Sequence, residues 1–306
     1  MDLVSIRARM TRPLVADLRT IDAVLSAIGP RMGLGPARLA SDPMRVIGGR
    51  NLAMEDDEAG ERRRISAFPP LDMESPRPGE WRPYDVYGPL ALICVHGVLV
   101  SRGAWIGADC GMTSYEGLRI QIDTALADPD IRGIVFDVNS GGGEAAGCFD
   151  LADRIYAARQ IKPSLAIVGD WACSAAYAVA SSAAGMAAPR VCDVGSIGVW
   201  SLHWDMSKQL EAEGLAPTLV FAGDHKIDGH PFAALPDTVR DRMQRDADDI
   251  RTLFAECVAR NRGLSVDAVL ATEADVYAGA QALETGLIDE VADRHAAVAE
   301  FLEVIG

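Results

Sequence analysis

The chain has 306 residues, 49% hydrophobic and 24% charged. This is ordinary globular composition, which excludes a wholly disordered chain and one that needs disulfides or a metal to hold a core. A formal charge of −15 argues against nucleic-acid binding through counterion release.

The charge deficit is uneven along the chain. Residues 1–90 hold 13 basic and 13 acidic side chains, against 16 and 31 in residues 91–306. Within the front region, Leu14, Val15, Leu18, Ile21, Val24, Leu25 and Ile28 recur at spacings of three and four. They predict an amphipathic helix over 13–31, ended by Gly29-Pro30. From 33 to 83 the pattern dissolves into Gly, Pro and charge, including Glu55-Asp56-Asp57-Glu58 and Arg62-Arg63-Arg64. That composition predicts a linker or a partner-dependent arm. The boundary is set at 85, with a helix and flexible charged arm over 1–85 and one domain over 86–306.

The domain opens with the apolar run Leu90–Val95, read as a buried strand ending at His96-Gly97. A helix over about 114–127 leads to a strand over 131–138, the loop Asn139-Ser140-Gly141-Gly142-Gly143 and a helix from Ala145 to about Gln160. A strand over 164–168 runs into Gly169-Asp170-Trp171-Ala172-Cys173, with a small-residue helix opening near Ser174. Further strands are expected near 190–194, 196–200 and 218–222. Pro236 sits at the start of a long helix ending near Gly263. Strands alternating with helices predict an α/β fold with a largely parallel sheet.

Several chemistries are excluded by inspection. No apolar run approaches the roughly 20 residues of a membrane span, and Met1–Arg7 lacks the pattern of a secretory signal. These two readings predict a cytoplasmic chain. The six cysteines form no C-x-x-C pair and read as reduced, packed thiols. Of the three lysines, Lys162, Lys208 and Lys226, none follows a glycine as a Walker A loop requires. None lies three residues after a serine either. No histidine precedes a glutamate, so H-E-x-x-H is absent, and no serine sits in G-x-S-x-G.

Two features carry chemistry. Gly141-Gly142-Gly143-Glu144-Ala145-Ala146 satisfies G-x-G-x-x-A, and three readings stand side by side. These are a dinucleotide fingerprint, a nest of amides for an oxyanion, and a tight turn that needs glycine. Ser174 precedes a helix of small residues, where a serine is ordinarily an N-cap but could serve as a nucleophile if a base were near. Lysine is such a base when burial favours its neutral form. Lys162 and Lys208 read as solvated surface residues, and Lys226 as a residue of the loop after a strand.

Taken in order, four motifs resemble the signal peptide peptidase A family of Ser-Lys serine peptidases. Gly141-Gly142-Gly143 resembles its S-P-G-G loop, with Gly141 where the family usually has proline. Ser174-Ala175-Ala176-Tyr177 is similar to the nucleophile motif, followed by Gly195-Ser196-Ile197-Gly198. Gly223-Asp224-His225-Lys226-Ile227-Asp228-Gly229 resembles the lysine segment. Tyr277–Ala282 and Gly286-Leu287-Ile288-Asp289 resemble the closing elements. Trp81–Val86 and Ala91–Gly103 bring the likeness closer to the phage head maturation branch, relatives of minor capsid protein C. Some of these carry a scaffolding segment after the protease, and with the sequence ending at Gly306 none is expected here.

The resemblance implies a ClpP/crotonase-like superfold of repeated β-β-α units. Ser174 would be the nucleophile and Lys226 the base, with Gly142, Gly143 and Ala175 forming the oxyanion hole and Ser196 orienting the lysine. It implies no metal or cofactor, a peptide or protein substrate, and a homo-oligomeric ring. Capsid scaffold and portal proteins are the expected partners, in host cytoplasm or an assembling prohead. The rivals are a Ser-His site using His203, a crotonase-like acyl-CoA enzyme, a cytosolic protein-degrading peptidase and a non-catalytic capsid scaffold.

Overall fold

The computed structural model describes residues 82–103 and 111–306, preceded by the backbone of three short strands, β1 (Leu14–Ala16), β2 (Met54–Asp56) and β3 (Arg62–Arg64). The main body begins with β4 (Asp85–Tyr87), β5 (Leu90–His96), β6 (Val98–Val100), β7 (Met112–Ser114) and helix α1 (Tyr115–Ala127). A second round follows with β8 (Gly133–Ser140), β9 (Gly142–Glu144) and α2 (Cys148–Ala158). Next come β10 (Ser164–Cys173), α3 (Ala175–Ser181), β11 (Gly185–Ala188) and β12 (Asp193–Gly195). The rest of the chain holds α4 (Ser207–Ala212), α5 (Asp237–Arg262), α6 (Val266–Leu270), β13 (Val276–Tyr277), α7 (Gly279–Glu284), β14 (Glu290–Val291) and α8 (Arg294–Ile305).

The strands form a large sheet in the order β13-β12-β10-β8-β5-β4, with β11 also on β10 and β14 on β11. Pairing is parallel except at the β4–β5 and β12–β13 edges. A smaller sheet runs β1-β9-β6-β7. The first round places β5 in the large sheet and β6 and β7 in the small one before its helix, the second places β8 and β9 likewise, and β10 passes directly into α3. This gives the expected α/β class, largely parallel sheet and β-β-α repeat.

Alternation along β5 and β8 fills both faces of the large sheet. Ile93, Val95, Ile134, Phe136 and Val138 pack under α1, α2, α3 and α5, whereas Leu90, Leu92, Val135 and Ile167 pack under Phe301 and Ile305 of α8. Each fully buried side chain of this size contributes about 1.5–3 kcal/mol. Ser114 caps α1, its Oγ accepting the Gly117 N–H. Pro236 precedes α5, and Gly263 closes it in the left-handed region.

Several expectations are corrected. Leu14–Ala16, inside the expected 13–31 helix, is a strand paired antiparallel with Gly142–Glu144; the rest of that helix lies outside the described residues. Within the stretch over 33–83, read as a linker or a partner-dependent arm, β2 pairs antiparallel with β3, which sets Glu55 opposite Arg63 and Asp56 opposite Arg62; this pairing does not decide between those readings. No strand forms over 218–222, where the chain is exposed and without regular structure. The strand expected over 196–200 is reduced to a single bridge residue at Trp200. β10 is longer than its apolar run because it continues past a register shift between Val168 and Ala172. Lys162 is not solvated, since its Nζ donates to the carbonyls of Ala125 and Asp128 at 2.8 and 2.6 Å and so closes the end of α1. Desolvation lowers its pKa, with Asp128 partly opposing that shift.

Candidate active site

Three neighbouring parallel strands, β8, β10 and β12, end side by side at Ser140, Cys173 and Gly195. The residues that follow are Gly141, Ser174 and Ser196. This is the carboxyl edge of the sheet, where loops of adjacent strands converge on a site in open α/β folds. Three segments that the sequence singled out are brought together here.

Ser174 has φ 58° and ψ −124°, a conformation that a non-glycine residue adopts only when its surroundings impose it. Its N–H donates to Gly195 O at 2.8 Å. Its side chain does not cap α3. Oγ is buried and has no hydrogen-bond partner, and the residue is 1% exposed. A capping role would have left a bond from Oγ to the first turn, so the ordinary reading of a serine at this place fails. Ala175, Ala176, Ala178 and Ala180 are all buried in the helix behind it, and the Tyr177 hydroxyl anchors that helix by donating to Leu287 O at 2.8 Å.

Ser196 also has positive φ, 52°, and its N–H donates to Asp275 O at 2.9 Å. Gly195 between the two serines has φ +117°, and a Cβ there would meet Asp275 O at 2.8 Å. Only glycine fits.

The glycine loop is shaped by sterics as much as by dihedral freedom. Gly142 has φ +100°. A Cβ on Gly143 would lie 1.9 Å from Leu99 O, so β9 can approach β6 only with glycine there. Gly142–Glu144 is a strand, and α2 begins four residues later behind Gly147. The glycines therefore do not head a helix, and the dinucleotide reading of G-x-G-x-x-A is excluded. The Gly142 N–H donates to Ser140 Oγ at 3.1 Å, and that hydroxyl donates to Gly97 O at 2.6 Å. Sequence reasoning placed Ser140 in the glycine loop and Gly195 in the segment around Ser196 but gave neither a role; the signal for both was their place at strand ends next to glycine or serine. The Ala175 N–H, first in its helix, has no intrahelical acceptor.

Lys226 stands apart from this corner. It is exposed, as is the whole run 211–226, which includes Leu215, Leu219, Phe221 and Val220, the last 95% exposed. Ser174 Oγ, with no partner, is not hydrogen-bonded to it. His203 is tied elsewhere, with Nε2 3.0 Å from His230 O.

Among the described residues, Cys94, His96 and Asp137 bring possible metal-ligand atoms within 4.8 Å of one another. They lie on the α8 face of the large sheet, away from α3. Asp137 is ion-paired with Arg294 at the first turn of α8, and its carboxylate lies 3.2 Å from His96 Nε2, which has no hydrogen-bond partner of its own.

Residues 156–304 match the sequence model of Peptidase family S49. The chain is 44% identical over 210 residues to the head-tail preconnector protein GP5 of Enterobacteria phage P21, covering 69% of this chain and 42% of that protein. It is 41% identical over 214 residues to capsid assembly protease C of Escherichia phage lambda, covering 70% and 49%. Protease 4 of Haemophilus influenzae is 25% identical over 222 residues, covering 70% of this chain and 34% of that one. The chain thus spans less than half the length of the two phage relatives. Among solved structures, a ClpP1 mutant from Listeria monocytogenes is similar with a TM-score of 0.41 and 11% identity, over 68% of this chain and 94% of that one.

Proposed function

Residues 156–304 form a peptidase family S49 domain, and from that premise we propose that the chain is a serine endopeptidase of phage capsid assembly, working through Ser174 and Lys226. The observation that carries the reading is the Ser174 hydroxyl, buried and without a partner on a strained turn between β10 and α3. Leaving a buried hydroxyl unpaired costs about 1–3 kcal/mol. Its retention is explained if the missing partner is a base and a substrate carbonyl.

In this reaction Ser174 Oγ attacks the peptide carbonyl carbon while Lys226 Nζ, in its neutral form, takes the hydroxyl proton. The oxyanion is received by the N–H groups of Ala175 and the glycine loop, where Gly142 becomes a donor once it leaves Ser140 Oγ. Collapse breaks the C–N bond, and the lysine returns the proton to the leaving amine. Water, deprotonated by the same lysine, then attacks the acyl-serine; the C–Oγ bond breaks, the lysine returns the proton to Ser174 Oγ, and the acyl group leaves as the acid. The residue that Ser196 would orient is this lysine.

Lys226 is exposed and makes no hydrogen bond to Ser174 Oγ within the chain. The exposed apolar row around it, Leu215, Leu219, Val220 and Phe221, fits burial against a second copy of the chain, so the arm delivers its lysine to a neighbour's Ser174 in a ring. A heterologous, head-to-tail contact of this kind forms a ring when its rotation closes. Protein substrates, and the scaffold and portal proteins of a prohead, are the partners this role requires.

Mixing two inactive full-length variants tests the assignment. Ser174→Ala and Lys226→Ala alone should not hydrolyse peptides. Co-assembled in equal amounts they should recover about a quarter of wild-type sites, since random neighbours in a ring pair an intact serine with an intact lysine that often. No recovery, with both variants still assembled, would place the lysine in the same chain; full activity of Lys226→Ala alone would remove the lysine from the chemistry, and full activity of Ser174→Ala alone the serine.

A further inference from the structure

β9 has two edges. One is paired in parallel with β6 through Leu99 and Gly143; the other carries β1, antiparallel, with Leu14 opposite Glu144, Val15 opposite Gly143 and Ala16 opposite Gly142. β9 also packs against α3, the helix headed by Ser174. Followed in its own direction, β1 runs along β9 from Glu144 toward Gly142. At that end the chain joins, through Gly141, the residue Ser140, whose partner across the sheet is Ala172, two residues before Ser174. A strand laid on this edge is therefore led toward the nucleophile.

An exposed strand edge next to a nucleophile is a recognition surface for an extended peptide, because backbone N–H and C=O groups pair with any sequence while side-chain pockets select among them. In this structure that edge is taken by the chain's own residues. We propose that Leu14–Ala16 occupies the position of a substrate strand on β9, making the N-terminal segment a built-in competitor that must leave before another peptide can dock. The proposal rests on the peptidase reading for the purpose of the edge, but the pairing itself does not depend on catalysis.

The occupancy has a consequence for binding. A peptide that needs the open edge sees only the fraction of molecules in which β1 has detached, and its apparent affinity falls by that fraction. Proline removes a backbone donor and is excluded from paired strand positions. Successive N–H groups of a strand point to opposite sides, so at least one of Val15→Pro and Ala16→Pro deletes a donor to β9.

The test uses the full chain carrying Ser174→Ala, with and without each proline, and a fluorescent peptide of residues 10–20 as the probe. At least one proline variant should bind the peptide about tenfold or more tightly than its parent, the factor expected if the edge is open in one molecule in ten. In the same variant, hydrogen exchange at Gly142–Glu144 should quicken without the peptide and slow again with it. Equal peptide affinity in parent and both variants, with unchanged exchange at β9, overturns the proposal. Exchange across β8 and β10 reports folding, so a collapsed variant is recognised and replaced by the Leu14→Pro form.

With Ser174 restored, the responding variant should also hydrolyse a general peptide faster than wild type. If binding responds but no form of the chain cleaves, the docking edge stands and the peptidase reading falls. If all forms cleave and neither binding nor rate responds, the reverse holds.

Discussion

Four non-glycine residues among those described have positive φ, and they meet at one corner: Ser174, Ser196, Glu273 and Ala274. Asp275, next to the last pair, accepts the Ser196 N–H, and Ser174 is tied to Gly195, the residue before Ser196. Each such residue costs about 1–3 kcal/mol unless its surroundings enforce it, so the strain is concentrated where the chemistry is proposed. The serine was legible in the sequence only through its resemblance, because residue by residue it read as an N-cap; burial without a partner is a property of the fold. Gly143 makes the complementary case, where a side chain is forbidden by the Leu99 backbone and not by dihedral angle. Gly143→Ala should push β9 from β6 and lower stability by about 1–3 kcal/mol, as overpacking does, measured by urea unfolding. Peptide hydrolysis should fall well beyond what that loss explains, because the displaced strand carries the glycine-loop amides.

At the scale of elements, the strongest periodic signals were read well. The helix after Ser114, the paired strands at 90–96 and 133–140, and the long helix after Pro236 all formed because cap, period and burial agree. The run Leu219-Val220-Phe221-Ala222 misled, since a short apolar run reads as a buried strand whether or not the fold covers it, and here it is exposed. The front helix misled for a related reason, as pairing with β9 overrides a helical period at Leu14–Ala16.

Where the main body begins, Arg82 and Tyr84 both bind Asp128 at the end of α1, at 2.7 and 2.8 Å. Partial burial works against ionisation of Asp128, but the Asp130 N–H, Arg82 and Tyr84 outweigh it and hold the carboxyl below its ordinary value. A folded-state pKa depressed in this way stabilises above the unfolded carboxylate value of about 3.9 and is lost as pH falls through the folded one. Asp128→Asn should therefore lower the Tm near neutrality, and the gap to wild type should close as pH drops below about 4. A gap independent of pH would assign the clamp to packing.

For the molecule as a whole, the carboxyl edge of the large sheet brings Ser174, Ser196 and the glycine loop together, while Lys226, the proposed base, lies on an exposed run and a strand from upstream lies on the edge beside them. The parts are complete in the sequence, but their meeting depends on contacts that no local pattern encodes. Steady-state hydrolysis of an unfolded protein by the full chain, compared among wild type, Ser174→Ala, Lys226→Ala and His203→Ala, tests the dyad most directly. Lys226 is exposed, so its truncation should leave the fold untouched. The account predicts that the serine and lysine variants each lose about 10⁴-fold or more in rate, with folding intact, while His203→Ala retains activity. An active Lys226→Ala beside an inactive, folded His203→Ala would contradict it.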